Sequence, residues 1–150
     1  MELSASQVRS LILDEHTVIR DVLDEIEETL GEMTRRVPGA IGRLRASLRT
    51  LHDAFLRHLK HEETVLRPIL VDVDAWGPAR VEAMDEEHRA QRAALAELPR
   101  LALDEDVDGT VQRIEDLVRR FRADMDGEET HALSEEVLRD DIIVIDTFMG

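Results

Sequence analysis

The chain has no cysteine, one tryptophan and three phenylalanines in 150 residues, and sets 19 lysines and arginines against 34 aspartates and glutamates. Without cysteine there are no disulfides, iron–sulfur clusters or thiolate zinc sites, so any metal must be held by nitrogen and oxygen donors. The formal charge of −15 argues against nucleic acid or an anionic membrane as a partner, because both need a basic patch, and it attracts cations instead. No stretch reaches the about eighteen apolar residues of a membrane span, and the N-terminus has no basic region before a long apolar run. A cytoplasmic protein is the expectation. Hydrophobic residues make up 43% of the chain, charged residues 35% and aromatics only 3%, a composition suited to helices and to a single domain of this length.

The punctuation predicts four long helices. Helix 1 starts at Ser4 or Ser6 and runs to about Leu30, with Gly31 as its cap, and Pro38-Gly39 mark a connection. Helix 2 spans about Ala40 to Leu70, with Pro68 in its last turn. Trp76 is expected to anchor the turn before Gly77-Pro78, which opens helix 3, and that helix ends near Leu98 before Pro99. An acidic, turn-prone stretch precedes helix 4, from about Thr110 to Arg139 with Gly127 inside it. The expected architecture is all-α, an antiparallel up-down-up-down four-helix bundle over residues 1–140. Residues 141–150 form a strand-like tail that packs across the bundle or docks a protein partner or a second copy.

Each predicted helix carries polar residues where its apolar seam needs hydrophobic ones. Helix 2 reads Ile41, Leu44, Leu48, Leu51, Phe55, His58, Glu62, Val65, Ile69 in unbroken steps of three and four. His16 interrupts Val8, Ile12, Ile19, Leu23, and His88 interrupts Val81, Met84, Leu95. The last helix reads Ile114, Leu117, Phe121, Asp124, Glu128, His131, Glu135, Leu138. An uncompensated buried carboxylate costs several kcal/mol or more, so Glu62 in a seam requires a partner, and a divalent metal supplies one. Imidazole and carboxylate in a mixed set of about six suit iron or manganese better than a structural zinc. Glu63 and Glu129 read as solvated, His61 as a supporting or surface histidine, His52 likewise, and Met84 as packing.

His16, Phe55-x-x-His58-x-x-x-Glu62 with Pro68 after it, Glu87-His88, and Phe121-x-x-Asp124-x-x-x-Glu128 together resemble the hemerythrin-like, or HHE cation-binding, family over nearly the whole chain. The resemblance implies a four-helix bundle around a non-haem di-iron centre, with manganese or zinc less favoured. By position it implies the ligands His16, His58, Glu62, His88, Asp124 and Glu128. The family places a histidine where this chain has Asp124. His131, three residues after Glu128, is the alternative ligand, in a Glu-x-x-His pair like that of ferritin-like di-iron proteins.

The expected function is a di-iron protein that binds or reacts with dioxygen, hydrogen peroxide or nitric oxide, in oxidative or nitrosative stress or iron handling, with an oxidase or peroxidase type of activity in view. The alternative is a reversible oxygen carrier or an iron or oxygen sensor without turnover. A shell richer in carboxylate favours ferric iron and redox chemistry, so Asp124 weighs most against carriage. A structural bundle with a lost site is the third reading, opposed by the five family positions that are retained.

Overall fold

The computed structural model describes residues 2–140; the tail at 141–150, and what was expected of it, lies outside the described residues. Helix α1 (Ala5–Thr34) opens with a reciprocal cap in which Ser4 Oγ accepts from Gln7 N–H and the Gln7 side chain accepts from Ser4 N–H, satisfying two end donors at once. It runs past Gly31, and the left-handed residues that turn the chain are Arg36 and Gly39, with φ of 60° and 82°. Gly39 is the position where an added side chain would be strained.

Helix α2 (Ala40–His61) passes through a π-helical turn at Glu62–Leu66 into α3 (Arg67–Val73), so these form one rod. The π turn changes the phase of the seam. Instead of Val65 and Ile69, which are half-buried, Leu66 and Leu70 are fully buried, one residue later than a continuous α-helix would place them. Arg67 N–H closes the turn on Glu62 C=O, and Pro68, which has no N–H, follows where the ordinary ladder would need one.

Helix α4 (Gly77–Glu97) starts after a tight reversal. A Cβ at Gly77 would collide with the carbonyl oxygens of Leu70 and Val71, so only glycine allows this approach. Trp76 does not anchor the turn: it is 69% exposed. A 3-10 turn at Leu98–Arg100 ends α4, and α5 (Val107–Thr130) begins on an Asp106 cap that accepts from Gly109 N–H at 3.1 Å. Helix α5 stops at Thr130, well short of Arg139. Beyond it the chain turns back over the bundle end, held by Arg9 Nε donating to Leu133 C=O at 2.6 Å and by Ser6 Oγ donating to Asp140 at 2.6 Å.

The rods form the expected all-α bundle, with α1 against α2 and α5, and α4 against α3 and α2. The apolar core has two parts. One gathers Ile19, Leu23, Leu51, Phe55, Phe121 and their neighbours. The other gathers Val8, Ile12, Leu66, Leu70, Met84 and Leu133. His16 falls between Ile12 and Ile19, Glu62 between Leu59 and Leu66, His88 between Met84 and Leu95, and Glu128 between Met125 and Leu133, so the polar donors form a layer separating the two parts. No helix among the described residues is long and apolar enough to cross a membrane.

Gly77→Ala is expected to destabilise the fold by roughly 1–3 kcal/mol, because backbone carbonyls must move to admit the methyl group. Urea unfolding followed by circular dichroism checks this; an unchanged midpoint would show that the reversal relaxes freely.

Candidate metal centre

One donor atom each from His16, His58, Glu62 and Glu128 lies within 4.8 Å of all the others. His58 Nε2 meets Glu62 Oε1 one helical turn away, as a four-residue spacing directs. His88 Nε2 reaches the other oxygen, Glu62 Oε2, at 3.3 Å, so Glu62 stands between two imidazoles. His16 Nε2 is 3.1 Å from Glu128 Oε1, but neither atom has a hydrogen-bond partner among the described residues. Phe55 and Phe121, stacked with ring centroids 4.4 Å apart, lie on one side, and Phe55 sets its ring edge-on to His58.

Carboxylates hold the far side of each ring. His16 Nδ1–H donates to Glu129 at 2.7 Å, His58 Nδ1–H to Glu15 at 2.9 Å, and His88 Nδ1–H to Glu63 at 2.8 Å. These bonds place the proton on Nδ1 and leave Nε2 turned toward the cluster, the usual arrangement behind metal-binding imidazoles. Each supporting glutamate is the chain neighbour of a clustered donor: Glu15 of His16, Glu63 of Glu62, Glu129 of Glu128. Adjacent helical residues point about 100° apart, so while one faces the centre the next faces the neighbouring helix. Helix α1 thus orients a ring on α2, the π turn orients one on α4, and α5 orients one on α1. The solvated reading of Glu63 and Glu129 therefore fails. Arg92 clamps Glu63 through two hydrogen bonds and Arg20 clamps Glu129 at 2.6 Å. His61 shares Glu15 with His58, whereas His52 pairs with Asp53, away from the cluster.

The remaining quarter differs. Asp124 is half-buried beside the seam, because Val118 and Met125, not Leu117 and Asp124, take the fully packed positions of α5. Its Oδ2 accepts from Gln91 Nε2 at 3.1 Å, and the same amide donates to Glu87 Oε1 at 3.1 Å. Glu87, the chain neighbour of His88, thus occupies the place from which it would orient a ring on α5, and faces a carboxylate instead. His131 is exposed at the end of α5. The helical stripe meant to carry it past Glu128 stops at Thr130, and His131 lies outside the four-donor cluster, on the wall of the groove that Asp124 and Glu128 also line.

Charge in the cluster is balanced by protons. Burial opposes the charge on His58, but hydrogen bonds to Glu15 and Glu62 raise its pKa to about 9. Glu62 is likewise opposed by burial, yet His58 and His88 hold it well below the usual carboxylate range. Glu128 goes the other way, pushed well up by burial and by the adjacent Glu62 charge. His16 is lowered by burial and by His58, and Glu87 is pushed up to about 7 by burial, Asp124 and Glu62. Two orphaned buried atoms, His16 Nε2 and Glu128 Oε1, within a set of imidazole nitrogens and carboxylate oxygens, fit a cation of the iron or manganese class.

The family model for the hemerythrin HHE cation-binding domain matches residues 7–135. No curated protein and no solved structure matches the chain.

A metal displaces the protons held by His58 and Glu128, so uptake should release protons and apparent affinity should strengthen from about pH 6 to about pH 9. The sign follows from both groups being raised, hence protonated until the pH passes their folded values. Calorimetric titration in buffers of differing ionisation enthalpy checks it; proton-neutral binding would contradict the inventory. Glu63→Gln and Glu129→Gln should each weaken metal retention by about 10–100-fold through loss of ring orientation, while Glu86→Gln, exposed on α4, should not. Equal retention in all three, measured against a chelator, would remove the supporting role.

Proposed function

Since the chain belongs to the hemerythrin HHE cation-binding family, whose model covers residues 7–135, we propose that it is a non-haem di-iron protein whose centre reacts with dioxygen, hydrogen peroxide or nitric oxide. The observation that carries this reading is the buried set of imidazole Nε2 atoms and carboxylate oxygens, three rings of which are pre-oriented by their own glutamates. The ligands proposed are His16, His58, Glu62, His88 and Glu128, with Asp124, whose carboxylate is held by the Gln91 amide, as the sixth. His131 is left out, because it is exposed beyond the end of α5.

When bound, iron supplies one-electron redox chemistry and open coordination positions for small ligands. The chain supplies the rest. Glu62, between His58 and His88, and Glu128, beside His16, would hold the metal with the three rings, and the apolar layers above and below exclude bulk water. A carboxylate at position 124 in place of a ring makes the shell harder and more anionic, which stabilises ferric iron and favours turnover over reversible carriage.

Purified protein is expected to hold close to two irons per chain, read by metal analysis, with Glu62→Ala losing most of it. Asp124→Ala should lose metal and Asp124→His should retain it with altered near-ultraviolet charge-transfer bands, while His131→Ala behaves as wild type. Loss of iron in His131→Ala with retention in Asp124→Ala would reverse the assignment. Mixing the reduced protein with dioxygen, peroxide or nitric oxide and recording its spectrum tests reactivity; an oxygen-dependent spectrum that reverts fully on deoxygenation would indicate carriage instead.

A further inference from the structure

Glu128 differs from the other clustered donors in its contact with solvent. The side chains of His16, His58 and Glu62 are 1%, 2% and 2% exposed, whereas that of Glu128 is 11% exposed. It lies in a groove of about 320 Å³ between α4 and α5, walled by Ala83 and Met84 on one side and Ala123 and Gly127 on the other. Small residues keep the groove open: a Cβ added at Gly127 would meet no atom within 4 Å among the described residues. Glu87 and Asp124 line the same groove, joined by the Gln91 amide, which is the one donor the two share.

Resting on the reading of a reactive centre, we propose that this groove is the route by which a small neutral ligand, of the size of dioxygen, nitric oxide or hydrogen peroxide, reaches the donor cluster, with Gly127 as its aperture. The volume is at the small end for ligand sites, and the methyl and thioether walls suit uncharged molecules. Arg80, Glu87, Asp124 and His131 also line the groove, so its margins are polar and of mixed charge around these apolar walls. The residue missing from the family's ligand pattern thereby acquires a second effect. Aspartate is smaller than histidine as well as anionic, so it leaves space in this wall as it changes the wall's charge.

The test mixes the reduced, iron-loaded full chain with nitric oxide in a stopped-flow spectrophotometer. Gly127→Leu is expected to slow ligand binding by about tenfold or more, a barrier of ~1.4 kcal/mol, at unchanged iron content. Gly42→Leu is the control, an equally unobstructed glycine on α2 outside the groove, and it should react at the wild-type rate; both changes replace a helix glycine by a better helix former. Ala123→Leu narrows the groove from its other margin and should also slow binding. Crystals pressurised with xenon should show the gas between Met84 and Ala123 in the wild type and not in Gly127→Leu. Wild-type rates in Gly127→Leu and Ala123→Leu with full iron would overturn the route while leaving the reactive centre standing. A wild-type centre inert to nitric oxide, dioxygen and peroxide would instead refute the reactive reading, and xenon then decides the groove: bound gas supports it and an empty groove overturns it.

Discussion

The constraint on which this molecule depends is the burial of a polar layer through the middle of its core. His16, His58, Glu62 and His88 are each no more than 2% exposed, and Glu128 joins them from α5. Apolar packing continues above and below but not through them. Isolated carboxylates in such a place would cost several kcal/mol each. They are tolerated because every ring has a carboxylate on both sides and every supporting carboxylate has an arginine or a second histidine behind it. Positive charge, as protons in the metal-free protein or as a cation, is required by the fold itself.

Much of this was legible in the sequence because helical period and misplaced polarity are both strong signals. The four rods, the bundle, and the inward positions of His16, His58, Glu62, His88 and Glu128 follow from steps of three and four. The departures have particular causes. Val65 and Ile69 fit the period as well as Leu66 and Leu70 do, and only the π turn, a backbone event without a clear residue signature, decides between them. Asp124 and His131 lie on a plausible stripe, but Met125 competes for the core place beside Asp124, and the chain leaves the helix after Thr130 without a proline or glycine to announce it.

Glu63 and Glu129 are the larger departure, since both read as solvated and both orient a ring. Taken alone, each is a charged residue beside a seam, and most such residues face water. The signal that could have found them is the pairing itself: in α1, the π turn and α5 a glutamate stands immediately next to a residue of the layer. Glu87 beside His88 repeats the pairing in α4. There the expected ring on α5 is absent, and Gln91 serves as the donor that keeps Glu87 and Asp124 together. The aspartate and the glutamine therefore read as one coupled local solution to a missing imidazole.

The direction of the supporting bonds has a consequence for the order of assembly. His16 on α1 is oriented by Glu129 on α5, the pair furthest apart in sequence, whereas His58 and His88 are oriented by Glu15 and Glu63 from α1 and the π turn. His58, Glu62 and His88 are thus aligned by residues 15–88 alone, and the cluster lacks only His16's orienting partner and Glu128 until α5 docks. The α1–α5 contact is therefore what turns a one-sided, three-donor half into a closed cluster, and loosening that single helix pair would open the site without disturbing the orientation of His58 or His88.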